Sequence, residues 1–207
     1  MPFVFNNMDF TLTSLSQLDS SGLESLASLH QSVMHTLLSE LGLPVVQRYY
    51  EVCQCDSTII GFCAITPNSE MLGWAVGSPH PDQINARLRR PFPWFAGQML
   101  RLAFTRPGVL IQLTQSVLSA SDANILQPGQ IELTYIAVAP STRGQGLGKK
   151  LLAAFIEASH AAGYRSIVLS VETDNPGALA LYTKTGFQIT KTFTEGRFER
   201  HRMELVF

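Results

Sequence analysis

Three glycines alternate in Arg143-Gly-Gln-Gly-Leu-Gly148, and an apolar helical pattern starts inside that run, at Leu147. Just upstream, Ile131 to Val138 is rich in β-branched and aromatic residues, as a buried strand should be. Pro140 ends the strand, because proline has no N–H to give to a ladder. Strand, glycine loop and helix in that order aim backbone N–H groups and a helix N-terminus at an anion. Glycine at every second position lets the backbone approach the anion with no Cβ in the way. The chemistry is that of a phosphate cradle.

Spacing rejects two common owners of such a cradle. A Walker A loop needs glycine five places before its Gly-Lys pair and Ser or Thr after it. Here Arg143 stands five places before Gly148, and Lys150 follows Lys149. A dinucleotide fingerprint, G-x-G-x-x-G, needs its third glycine at position 149, which is lysine.

The elements that must hold the loop can be read from periodicity. Phe10 to Leu15 alternates as a first strand. Ser20 or Ser21 caps a helix whose apolar residues run from Leu23 to Leu38, with Gly42 and Pro44 stopping it. A short helix follows over Val45 to Tyr50. Thr58 to Ile65 and Met71 to Gly77 form a hairpin around the turn residues Thr66 to Glu70. Residues from about 78 to 128 read as a helical insertion: Asp82 to Arg90, then Trp94 to Phe104 after the interruption Pro91-Phe-Pro93, then Gly108 to Leu118. A polar linker from Ser119 to Gln130 closes it with a Pro128-Gly129 turn. After the glycine loop, a helix lined by Leu147, Leu151, Leu152, Phe155 and Ala158 ends at Gly163, and Ser166 to Val171 reads as a buried parallel strand. Asn175-Pro176 opens a last helix that ends at Gly186. Phe187 to Phe193 and His201 to Phe207 are the final strands, with a hairpin near Glu195-Gly196.

Composition narrows the class. At 207 residues, with 45% hydrophobic and 15% charged residues, the chain suits one folded domain over 1–207. A net charge of −1 argues against a general nucleic-acid binder. Cys53, Cys55 and Cys63 are an odd set with no histidine at metal-ligand spacing, so buried thiols in a reducing compartment are expected rather than a disulfide framework or zinc site. Cys53 and Cys55, two apart, are expected on one face of an extended segment. With no basic n-region and no window of roughly 18 apolar residues, a cytoplasmic location without stable membrane association is expected.

The loop fits Q/R-x-x-G-x-G/A, and Asn175-Pro-Gly-Ala178-Leu-Ala-Leu-Tyr182 followed by Gly186-Phe187 fits N-x-x-A-x-x-x-Y and G-F. In these motifs, in their order and in the strand–helix–strand spacing between them, the chain resembles the GNAT N-acetyltransferase superfamily. The resemblance is close over about residues 131–190. It implies an α+β (mixed α/β) fold: a twisted mixed sheet of six to seven strands flanked by helices, with the insertion before the central strand as the departure. It also implies acetyl-CoA as cofactor, bound by the N–H groups of Arg143, Gly144, Gln145, Gly146, Leu147 and Gly148 at the pyrophosphate. The main chain of Ile136, Ala137 and Val138 would run beside pantetheine in a gap between two splayed strands, with Asn175 touching the same arm. The implied activity is acetyl transfer to a primary amine of a small molecule, peptide or protein. A non-catalytic acyl-CoA sensor is the alternative reading.

Direct attack on a thioester needs a neutral amine, and with a pKa near 10 only about one part in a thousand is neutral at pH 7. A base must take or hold that proton. The resemblance offers Glu132 as that base, Tyr182 as proton donor to the departing thiolate, and the Val138 N–H for the oxyanion. Glu132 as a salt-bridged strand residue and Tyr182 as a packing residue are the competing readings. His80 reads best as a loop histidine. Arg87, Arg89, Arg90, Arg101 and Arg106 crowd the insertion with Asp82 as the nearby acid, and read best as a solvated face. The apolar pair of helices from Trp94 to Leu118 is open between a lid, a homodimer surface and a satellite core.

Overall fold

The computed structural model describes residues 9–105, 108, 126–195 and 198–207. Its frame is one seven-stranded mixed sheet. The strands are β1 (Thr11–Ser14), β2 (Ile60–Ile65), β3 (Met71–Ser78), β4 (Gln130–Val138), β5 (Ser166–Glu172), β6 (Gln188–Glu195) and β7 (Phe198–Val206). In space they run β1-β2-β3-β4-β5-β7-β6. β4 and β5 pair parallel, and the other neighbours pair antiparallel.

The helices are α1 (Ser20–Val33), α2 (Leu37–Glu40), α3 (Leu43–Gln54), α4 (Pro81–Leu88), α5 (Phe92–Thr105), α6 (Leu147–Ala161) and α7 (Pro176–Thr185). They sort the core into two clusters. Leu26, Ala27, Val45, Val46 and Tyr50 of α1 and α3 pack with Trp74 and Val76 of β3, and Ile84 and Leu88 of α4 join them. Leu151, Leu152 and Phe155 of α6 pack with Ile131, Ile167 and Leu169. Each such fully buried side chain contributes about 1.5–3 kcal/mol by leaving water.

Several expected elements are corrected. The helix expected from Leu23 to Leu38 is two helices, broken over Met34 to Thr36. Thr36 caps the second by accepting from the Ser39 N–H at 3.3 Å, and its hydroxyl lies 3.4 Å from His30 Nε2. Hydrogen-bonding side chains at 30, 36 and 39 thus override a continuous apolar period. Asp19 rather than Ser20 or Ser21 caps α1, its Oδ1 accepting from Gly22 N–H at 2.8 Å. The short helix expected over Val45–Tyr50 extends over Leu43–Gln54, with Pro44 inside its first turn, where a missing N–H costs nothing. Cys53 therefore lies on a helix and Cys55 caps it, Cys53 buried and Cys55 exposed, instead of sharing a face of a strand. Pro93 likewise sits in the first turn of α5, so Pro91-Phe-Pro93 starts that helix at Phe92 rather than interrupting it. Apart from Gly108, the helix expected over Gly108–Leu118 and most of the linker after it lie outside the described residues, as do residues 196–197 of the last hairpin.

Candidate active site

The site begins with an irregularity in β4. Opposite β3, Tyr135 pairs with Val76 and Leu133 with Gly77, leaving Thr134 as a bulged extra residue. One extra residue reverses which face each later side chain takes. Before the bulge Ile131 and Leu133 face α6; after it Ile136 and Val138 do, while Tyr135 and Ala137 face α1 and α3. Gly77 permits this, since a Cβ there would overlap both the Glu132 carbonyl and the Phe155 ring.

On its other edge, β4 pairs with β5 only at Gln130–Ser166, Ile131–Ile167 and Glu132–Val168. Beyond Glu132 the strands part: β4 stays with β3, and β5 continues along β7 to Glu172. The Ala139 N–H donates to Leu72 O at 2.7 Å, on the β3 side. Backbone groups of a strand alternate in direction, so Val138 and Ile136 turn theirs to the opposite edge, into the gap. An unpaired strand edge of this kind takes an extended amide chain as an added strand.

The gap opens towards the glycine loop. Gly144 and Gly146 have φ of 76° and 80°, the left-handed region, and a Cβ at either would meet no atom within 4 Å. The Arg143 and Gln145 N–H groups are turned inward, donating at 3.4 Å to Pro140 O and Thr142 O. Among the described residues, those of Gly144, Gly146, Leu147, Gly148 and Lys149 have no backbone acceptor; the first helical bond at this end is Lys150 N–H to Gly146 O, 3.2 Å. No side chain caps α6 and no acid lies in its first turn. Orphan donors at a helix N-terminus, with open space before them, form an anion site. Of the N–H groups from Arg143 to Gly148, four are thus without a backbone acceptor among the described residues, and Lys149 adds a fifth.

α7 closes the same end. A Cβ on Gly148 would lie 3.9 Å from both Leu181 and Val138, so loop, strand end and helix converge. Asn175 caps α7, its Oδ1 accepting from Ala178 N–H at 3.1 Å, and its amide nitrogen has no hydrogen-bond partner among the described residues. Tyr182, next to Leu181, is 7% exposed and packs against Phe187 with ring centroids 5.7 Å apart. Burial pushes its phenol up to about 12.

Glu132 is held by a residue that sequence reasoning missed. Arg202 Nη1 donates to Glu132 Oε1 at 2.5 Å and to Ser170 Oγ at 3.0 Å. Across the sheet, His30 is fully buried beside Trp74, Tyr135 and Tyr50, its Nδ1 lying 2.7 Å from the Tyr50 hydroxyl. Burial depresses its pKa to about 4. A histidine one turn past Leu26 on the apolar stripe of α1 was the available signal for this cluster. His80 is exposed at the start of α4. Arg87 pairs with Asp56 at 2.6 Å, an acid brought from outside the insertion, while Arg89, Arg90 and Arg101 are exposed and Arg106 lies outside the described residues. Among the described residues, no three His, Cys, Asp or Glu side chains converge as a metal site, and no helix is long and apolar enough to cross a membrane.

Residues 29–187 match the model of the Acetyltransferase (GNAT) family. A mycothiol acetyltransferase from Rhodococcus erythropolis is 26% identical over 187 residues, 87% of this chain and 60% of that protein. One from Paenarthrobacter aurescens is 29% identical over 134 residues, 60% of this chain and 41% of that protein. The chain spans about half the length of these curated relatives. The solved structure of a paia N-acetyltransferase from Thermoplasma acidophilum, in complex with coenzyme A, shares the fold with a TM-score of 0.60 at 14% identity, over 97% of this chain and 100% of that one.

Proposed function

This chain belongs to the Acetyltransferase (GNAT) family, and we propose that it moves an acetyl group from acetyl-CoA to a primary amine of a small molecule or protein by direct attack. The carrying observation is the gap between β4 and β5, unladdered beyond Glu132 and ending at five orphan N–H groups. The cofactor supplies the activated thioester. The N–H groups of Gly144, Gly146, Leu147, Gly148 and Lys149 hold its pyrophosphate; the edges of Ile136 and Val138 hold its amide arm, and the Asn175 amide nitrogen touches the same arm.

The protein then manages three charges. The Val138 N–H, turned into the gap, would donate to the acetyl oxygen where negative charge develops. Glu132 takes the proton of the amine, directly or through water, by the carboxylate oxygen that Arg202 leaves free. Tyr182 keeps its proton, since its pKa of about 12 stands far above neutral pH. A free thiol, with a pKa of about 8.5, is the stronger acid of the two, so the proton stays on the phenol. Tyr182 therefore acts as a hydrogen-bond donor to the departing sulfur, a bond to a charged group of about 1.5–3 kcal/mol.

That figure sets the test. With acetyl-CoA and a panel of spermidine, glucosamine and lysine- or alanine-bearing peptides, thiol release should appear for at least one amine. Tyr182→Phe should lower kcat by about 10- to 100-fold, leaving KM for acetyl-CoA within about threefold. Coenzyme A binding without thiol release from any amine would instead support a sensor.

A further inference from the structure

Ser170 of β5 faces Arg202 of β7, and Glu132 of β4 lies one strand further on, beside Val168. The Arg202 side chain crosses the face of β5 to reach Glu132 and is itself sheltered, with side-chain exposures of 8% for Arg202 and 15% for Glu132. Two residues back along both outer strands, Gln130 Nε2 donates to Glu204 Oε1 at 2.7 Å, a second bridge across β5. The two bridges frame the three positions at which β4 and β5 pair, Gln130 at the first and Glu132 at the last before the strands separate. A sheltered ion pair adds little net stability, because desolvation offsets most of its attraction. Its place therefore points to alignment rather than to stability.

We propose that Arg202, braced by Ser170, is a positioning residue that fixes the Glu132 carboxylate at the apex of the gap. Oε1 is tied to the guanidinium, and Oε2 carries no protein hydrogen bond among the described residues. Rotation of the carboxylate is restricted, so the free oxygen faces the reacting amine or its water in one geometry. This inference rests on the proposed role of Glu132 as base, and it adds the residue through which that role is set. Positioning of this kind acts on kcat, since misplacing a reacting group costs rate rather than cofactor affinity.

A double-mutant cycle on the full chain separates the two ideas, using acetyl-CoA and the panel amine with the highest turnover. Glu132→Gln should lower kcat by about 100-fold, in the range of general-base catalysis. Arg202→Met should lower it by about 10-fold, Arg202→Lys should recover it to within about threefold, and the coenzyme A Kd should stay within about threefold throughout. The double variant should be no slower than Glu132→Gln alone, because Arg202 works only through that carboxylate. Losses that multiply in the double variant, or an Arg202→Met enzyme with unchanged kcat, would overturn the positioning role while Glu132 stands as base. An unchanged kcat in Glu132→Gln, or turnover of no panel amine, removes the base and the inference with it. Should Arg202→Met fail to fold, Ser170→Ala serves: about a threefold loss of kcat that vanishes in the Glu132→Gln background supports bracing, and its persistence there refutes it.

Discussion

Alanine at Gly146 asks whether the glycine loop exists for the backbone or for a ligand. Gly146 sits at φ 80° ahead of α6, and an added Cβ would meet no protein atom within 4 Å. In the free protein the substitution costs the left-handed penalty of about 1–2 kcal/mol and no clash. For a chain of this size that lowers Tm by roughly 2–8 °C. With coenzyme A the arithmetic differs, because a methyl group in the open space of the loop would hold the pyrophosphate off the Gly146 and Leu147 N–H groups. Losing two hydrogen bonds to a charged group costs about 3–6 kcal/mol, a rise in Kd of about 10² to 10⁴-fold. Gly163, just beyond the other end of α6, is a matched control: its φ is 83° and its Cβ position is equally open. Gly163→Ala should show the same loss of Tm and an unchanged Kd. Calorimetric titration with coenzyme A, alongside thermal melts, reads both. Equal Kd changes in the two variants, or a Gly146→Ala Kd within about threefold of the parent, would refute the cradle.

Two further outcomes follow from burial. His30 has a folded pKa of about 4 against 6.5 when unfolded, so between those values the unfolded state binds more protons. Its contribution is intact above pH 6.5 and falls away towards pH 4, by about 3 kcal/mol. Melts across this window should show a steeper fall in Tm for the parent than for His30→Gln, and parallel curves would disprove it. Cys53 and Cys63 are each 1% exposed, with thiols pushed up to about 12 by burial, whereas Cys55 is exposed. A disulfide reagent such as Ellman's should therefore label one thiol quickly in the native protein and three after unfolding, and two rapid thiols in the native state would contradict the packing.

Local chemistry was legible in the chain because its determinants are local. Alternate glycines, the capping Asn175 and the terminating Gly186 act within a few residues, and α6 and α7 begin where these residues put them. Apolar periodicity likewise located the strands, to within three residues at each end. It failed where a side chain overrode the period, as at Thr36, or where proline entered the first turn of a helix instead of stopping the chain, as at Pro44 and Pro93.

What sequence by itself determined is the order of the elements and the cradle motif, since both are written in nearest-neighbour sterics and hydrogen bonding. What tertiary structure decided is which strand edges are left unpaired and which charges meet across them. The bulge at Thr134 is permitted by Gly77, 57 residues earlier in the chain, where the missing Cβ lets Phe155 and the Glu132 carbonyl approach. Arg202 meets Glu132 from 70 residues away because β7 pairs beside β5 with Met203 buried in the core, which turns its neighbour Arg202 to the opposite face of the sheet.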